Sequence, residues 1–227
     1  MILITGASRG IGEYLYGKFS MTEESVYGTY NTTRPDQPNI NNLSKVDISN
    51  LHDVEKWINS LKENLNNIVL INCAGSNYNS FAHKSDPEAW YDVIKVNLLG
   101  TYNVIRTVLP YMRAAKFGRI INFSSVLAQI GAPGASAYAS SKSGLCGLTK
   151  CIAAENAKMG ITINNLNLGY FELGMINEVP LEFQKTIKDR IPSGSFGDPS
   201  NIYNAVMFLI QSEYVNGTSI DINGGLI

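Results

Sequence analysis

Tyr138 and Lys142 stand four residues apart at the end of the stretch that begins at Ser125, and the apolar residues that follow, Leu145, Leu148 and Ile152, recur at helical spacing. Both side chains therefore project from one face of one helix. A phenol titrates near ~10 in water, and a neighbouring ammonium favours phenolate, bringing the hydroxyl towards the range where it can give up and recover a proton. Tyr14/Lys18 and Tyr91/Lys95 repeat the spacing, so the pair takes its meaning from what precedes it. Residues Arg119 to Ser125 are an apolar, β-branched run ending in two hydroxyls, Ser124 and Ser125, and a Gly/Pro/Ala loop, Gly131 to Ala135, leads into the helix. That is a buried strand delivering serines to its carboxyl end, which is where open α/β sheets bind ligands.

The elements that must hold this site follow from the chain in order. Residues 1–5 read as a strand, Gly6 to Gly12 as a glycine-rich turn, and the stretch through about Phe19 as a helix. Glycines let backbone amides approach a pyrophosphate at a helix amino terminus, so this is a candidate phosphate cradle. Further strands are read at Ser25–Tyr30, Leu43–Asp47, Asn67–Asn72 and Ile161–Asn167, with a last one at Thr218–Ile222. Helices are read at Leu51–Leu65, Pro87–Tyr111, from Tyr138 to about Met159, and at Pro199–Gln211. Strand–helix alternation throughout gives an α/β fold: a single-domain, doubly wound Rossmann fold with a parallel sheet of about seven strands and helices on both faces. Residues 170–198 are irregular, with a short helix at Leu181–Arg190, and form the candidate substrate lid. Asn97, among Val93, Val96, Leu98 and Leu99, reads as a satisfied hydrogen bond in a core.

Composition narrows the function classes. The 227 residues are 44% hydrophobic and 16% charged, enough for one sizeable core and one domain, 1–227. A net charge of -1 supplies no basic field for nucleic acid. No apolar run reaches the length of a membrane span, and a strand at the very start leaves no room for a signal peptide. Cys73, Cys146 and Cys151 lack metal-ligand spacing, and His52 and His83 lie apart from them; the expectation is a cytoplasmic protein without a metal site.

With these residues in hand, the chain closely resembles the short-chain dehydrogenase/reductase family over essentially its whole length. Thr5 to Gly12 match the family's cofactor loop, Asn72-Cys73-Ala74-Gly75 its Asn-Asn-Ala-Gly segment with one substitution, and Asn97, Ser125, Tyr138 and Lys142 its catalytic tetrad. The family's thirteen-residue interval from serine to tyrosine selects Ser125 over Ser124. The resemblance implies hydride transfer between a nicotinamide and a carbonyl carbon. Tyr138 would give the proton, Ser125 hold the oxygen, Lys142 lower the tyrosine pKa and bind the nicotinamide ribose, and Asn97 hold a relaying water. It implies cofactor contacts from Gly6, Ser8, Arg9, Gly10, Ile11 and Gly12, from Asp47 and Ile48 at the adenine, and from Asn72, Ala74 and Gly75. Gly169, Phe171, Tyr138 and Lys142 would meet the nicotinamide end.

The second strand ends in Asn31-Thr32-Thr33-Arg34, where an NAD-preferring fold presents an acid to the adenosine ribose. Asn31, Thr32 and Arg34, with Arg9, suit a 2'-phosphate instead, so NADP(H) is the preferred cofactor and NAD(H) the alternative. After the sixth strand the family commonly reads Pro-Gly and then a Thr that contacts the nicotinamide carboxamide; here Leu168 and Leu173 replace Pro and Thr. The leading expectation is a ketone reductase resembling the 3-oxoacyl-carrier-protein reductases, acting on a small ketone or acyl thioester as a homotetramer or homodimer. An alcohol, sugar or polyketide dehydrogenase, and a nucleotide sensor without turnover, are the alternatives.

Overall fold

The first strand, β1 (Ile2–Thr5), is completely buried, as are β4 (Val69–Asn72), β5 (Gly118–Ser125) and β6 (Ile161–Leu168). Strands covered on both faces need not alternate apolar and polar residues: β1 and β4 are almost wholly apolar, while β5 and β6 bury several polar side chains among apolar ones. The structure, a computed structural model, describes residues 1–33, 42–174, 176 and 179–227. With β2 (Val26–Tyr30), β3 (Leu43–Lys45) and β7 (Ser219–Ile222), the strands form one sheet in the order β3-β2-β1-β4-β5-β6-β7, parallel in every pairing. The order reverses direction between β1 and β4, and a crevice opens there beyond the strand ends.

Helices α2 (Leu51–Ser60), α4 (Thr101–Ala115) and α6 (Ser136–Asn156) cover one face. Trp57, Ile58, Val104, Ile105, Met112 and Ile152 pack there against Leu3, Leu70, Ile120 and Ile163. Helices α1 (Gly10–Ser20) and α8 (Pro199–Gln211) cover the other, setting Leu15, Phe19, Ile202 and Val206 against Ile4, Ile71, Ile121 and Leu166. The helix starts are chemically marked. Asn50 accepts from the His52 amide, and the Asp-Pro pairs 86/87 and 198/199 cap α3 (Pro87–Ile94) and α8 through the amides of Glu88 and Ser200.

Three expected elements differ in detail. The helix expected over Pro87–Tyr111 runs on to Ala115 but contains a π-helical segment at Lys95–Gly100, between α3 and α4. The helix from Leu51 stops at Ser60 and continues only as a 3-10 turn at Lys62–Asn64, and β3 ends at Lys45, two residues early. A short α5 (Leu127–Ile130) fills the start of the loop after β5, and α7 (Leu181–Lys188) is the short helix expected beyond residue 180. No helix among the described residues is long and apolar enough to cross a membrane.

One sheet row is polar although it is buried. Thr5, Asn72, Asn122, Asn165 and Ser219 stand in register across β1, β4, β5, β6 and β7. Asn72 donates to Asn122 at 2.9 Å; Asn122 donates to Thr149 of α6 at 3.1 Å and to Asn165 at 3.3 Å; Thr149 donates to Asn165 at 2.7 Å. A buried polar row stabilises only while its members remain paired. Asn122→Ala is expected to cost about 2–3 kcal/mol by leaving amides of the row unpaired, measured by urea unfolding. Wild-type stability in that variant would remove the row from the fold's essential contacts.

Candidate functional site

The glycine turn between β1 and α1 is shaped by close approach. Gly6 has φ +66°, and a Cβ there would lie 2.7 Å from the Cα of Ala74, in the exit of β4; a Cβ on Gly12 would overlap the carbonyl oxygen of Gly6. The turn is fastened from outside, since the Gly6 amide donates to Thr29 Oγ1 at 3.3 Å and the Ala74 amide to Thr5 Oγ1 at 3.2 Å. No side chain caps the first turn of α1, so no cap residue competes for the backbone amides that open this helix at Gly10. Backbone amides at a positive helix end fit the pyrophosphate of a dinucleotide.

The remaining expected cofactor contacts line the same crevice. Asn31 and Thr32 are exposed at the exit of β2; Arg34 lies outside the described residues. Asp47 is held by its own loop, with one oxygen accepting from the Ser49 amide at 2.9 Å and hydroxyl at 2.7 Å. Ile48 is buried, its carbonyl accepting from Asn103, so it supplies an apolar wall rather than a polar contact. Asn72 is committed to the polar row, and Ala74 and Gly75 form the flat exit of β4. Gly169 has a packing reason of its own: a Cβ there would sit 2.7 Å from the Cα of Asn223. Phe171 buries its ring against Gly197 and bridges to it. That pairing uses the Tyr170 carbonyl and the Glu172 amide, turning the N–H and C=O of Phe171 the other way, where backbone groups can meet a carboxamide.

The tetrad candidates converge where β5 ends. Ser125, 7% exposed, accepts from the Leu127 amide at 3.2 Å, and its hydroxyl is near enough to the Tyr138 phenol to lower its pKa. Ser124 donates instead to the Lys142 carbonyl at 3.2 Å; its hydroxyl is used in fastening α6, which leaves Ser125 as the serine of the site. Lys142 is buried, and its Nζ donates to the Phe123 carbonyl at 2.6 Å. Burial pushes its pKa down to about 8, while Cys73 pulls it the other way. The Cys73 thiol is pushed up by its own burial, against the lowering influence of Lys142. Burial also raises the Tyr138 phenol; the Ser125 hydroxyl opposes that rise, and Tyr170 adds to it. The downward pull expected from the Lys142 ammonium is thus exerted here by the Ser125 hydroxyl.

Asn97 occupies the π segment and is fully buried. Its Oδ1 accepts from the Ser76 amide at 2.8 Å, and its Nδ2 donates to the Ser76 carbonyl at 2.9 Å and to Ser141 Oγ at 3.0 Å. A Cβ on Gly75 would lie 3.3 Å from Asn97 Oδ1 and 3.8 Å from Lys142 Nζ, which puts both groups against the end of β4. The other Tyr/Lys pairs do not share this setting. Lys18 is exposed above the Tyr14 ring, and Lys95 pairs with Asp92 at 3.0 Å beside a half-exposed Tyr91. Ring-to-ammonium distance does not separate the Tyr14 and Tyr138 pairs, since Lys142 and Lys18 both lie 5.6 Å from their ring centroids; burial does. Ser76, Ser141 and the Phe123 carbonyl were not singled out from sequence. Ser141 alone carried a signal, standing three residues after Tyr138 on the same helix face.

Comparison with known proteins agrees with this geometry. The family model for short chain dehydrogenases matches residues 1–182. The 3-oxoacyl-acyl-carrier-protein reductase FabG of Haemophilus influenzae is 30% identical, over 99% of this chain and 96% of its own length. The acetoacetyl-CoA reductase of Shinella zoogloeoides is 34% identical over 98% of this chain and 96% of its own length. A solved structure of a provisionally assigned gluconate dehydrogenase from Agrobacterium tumefaciens superposes with TM-score 0.89 at 24% identity, covering 100% of this chain and 95% of that one, which shows the fold. The chain belongs to the short-chain dehydrogenase family and is an NAD(P)-dependent oxidoreductase acting on a CH–OH/C=O pair.

Proposed function

We propose that the protein reduces the ketone of a 3-oxoacyl thioester to a secondary alcohol with NADPH. The observation that carries this reading is the meeting of Ser125, Tyr138, Lys142 and Asn97 at the carboxyl end of β5. The names of its 30–34% identical relatives support the thioester. When bound, the nicotinamide supplies a hydride to the carbonyl carbon. Ser125 holds the carbonyl oxygen, and the Tyr138 phenol, raised by burial and so protonated at neutral pH, gives that oxygen its proton. Lys142, its ammonium 5.6 Å from the Tyr138 ring centroid, binds the nicotinamide ribose, and Ser125 supplies the downward pull on the phenol. Asn97 keeps the β4 exit in place. Residues 170–198 form the lid: Tyr170 and Phe196 stack loosely, with ring centroids 6.5 Å apart, around a small core of Ile176, Ile191 and Phe196. Leu173, in place of the family's Thr, leaves the Phe171 backbone to orient the nicotinamide. Arg9 and Arg34 support the preference for a 2'-phosphate.

Assembly as a homodimer or homotetramer is proposed through α4 and α6, on narrower grounds than the apolarity of α6. The protein's own sheet and helices already bury Leu145 and Ile152. What stays exposed is Leu99 of the π segment and Tyr102 of α4, 50% and 43% accessible, together with Gly147, Cys151 and Ala154 of α6. Closed point groups let one such patch serve both chains.

Four outcomes test these readings. With acetoacetyl-CoA, NADPH oxidation is expected to exceed NADH oxidation, and Tyr138→Phe to lower turnover roughly 10²–10⁴-fold while NADPH fluorescence titration shows cofactor binding retained. An equally active Tyr138→Phe, or tighter NADH, would contradict the respective claim. Lys142→Met is expected to be inactive but more stable. A cation whose folded pKa falls from 10.5 to about 8 costs stability while charged, below pH 8, and the cost fades as pH rises from about 8 to 10.5. After loss of the bond to Phe123, the net gain at pH 7 is about 1–2 kcal/mol, or roughly 2–6 °C in Tm; a lower Tm would contradict the buried charge. Sedimentation of the wild type is expected to give a dimer or tetramer and of Gly147→Arg a smaller species, and a wild-type monomer would dismiss the interface.

A further inference from the structure

Ser141 is completely buried in α6, and both halves of its hydroxyl are in use. The proton is committed to the Tyr138 carbonyl at 2.7 Å, three residues back along the helix. The oxygen must then accept, and it accepts from Asn97 Nδ2 at 3.0 Å. That fixes which way the Asn97 amide faces. Its oxygen can only turn to the Ser76 amide, 2.8 Å away, and its second N–H to the Ser76 carbonyl, 2.9 Å away. Ser141 thereby links the π segment to the backbone of the tyrosine in the first turn of α6. That turn has little else to hold it: its N-cap, Ala135, offers no side-chain bond, and its side-chain tie is Ser136, which accepts from Trp90 Nε1 at 3.1 Å.

We propose that Ser141 is a positioning residue for the reduction, acting through Asn97: its hydroxyl orients the Asn97 amide and sets the Tyr138 turn against the π segment. This rests on the role given to Asn97 in the proposed function. The bond is not replaceable by water from outside, since Ser141 and Asn97 are both 0% exposed. Groups that belong to one buried network show non-additive losses on substitution, and that is what separates this role from general support of the helix.

The test is a double-mutant cycle on the full chain, with turnover of acetoacetyl-CoA and NADPH as one readout and NADPH fluorescence titration as another. Ser141→Ala is expected to lower kcat roughly 3- to 30-fold, the range of coupling within one network, with the NADPH Kd unchanged. Asn97→Ala is expected to lower it further, and the double variant to match Asn97→Ala within about twofold, a range too small to be a coupling energy. Ser141→Cys keeps the volume and weakens the acceptor, so it should fall between wild type and Ser141→Ala and serves if Ser141→Ala does not fold. A crystal structure of Ser141→Ala or Ser141→Cys is expected to show the Asn97 amide rotated away from the Ser76 amide. Wild-type kcat with a lowered Tm, losses that multiply in the double variant, or an unmoved Asn97 would each overturn the positioning role and leave the proposed function standing. Full turnover in Asn97→Ala would instead sink the role of Asn97, and the positioning role with it.

Discussion

An ammonium inside a protein is a standing cost, and the architecture around Lys142 exists to contain one. Its Nζ is set 2.6 Å from the Phe123 carbonyl near the carboxyl end of β5, a strand buried throughout, with Asn97 and the β4 exit close by. No carboxylate neutralises it among the described contacts; its partners are dipoles. Burial is the larger effect, and it draws the pKa down to about 8, near the working range, where the cation can part with its proton.

That constraint orders the rest of the molecule. Tyr138 and Lys142 share one face of α6, so the axial position of this helix sets both at once. It is pinned at three levels: Ser141 to the π segment, Ser124 to the Lys142 carbonyl, and Thr149, about two turns beyond Lys142, to Asn122 and Asn165. The polar row through the sheet holds the strand ends level with these pins. On the opposite side of the crevice, Gly6 and Ala74 approach backbone to backbone, which places the phosphate cradle next to the β4 exit. The proposed cofactor seat and the proposed proton donor are thus joined through β4.

Much of this is legible in the sequence where chemistry is local. Helix α8 lies at the bounds read for it, because Asp198-Pro199 marks its start as plainly as any motif can. The buried strands are legible as apolar runs, and the glycine turn from its strand and helix context. The choice of Ser125 over Ser124 needed the family's interval, and the structure supplies the physical reason, since Ser124 is spent on α6. What was not legible is tertiary. Nothing in Lys95–Gly100 announces a π segment, because its cause is the capture of Asn97 by Ser76 and Ser141 from elsewhere in the chain. Asn122 and Asn165 look like interruptions of apolar runs until their register is known. The Phe123 partner of Lys142 is a backbone carbonyl, which has no residue type to read.

The most direct measurement of this account is the titration of Lys142 itself, by NMR of lysine labelled with 15N at Nζ, with the resonance assigned by its loss in Lys142→Met. The account predicts a lysine that titrates near pH 8 in the folded protein, well apart from the other lysines. A Lys142 that titrates with them, near the ordinary value of ~10.4, would show a solvated ammonium and contradict the site as described.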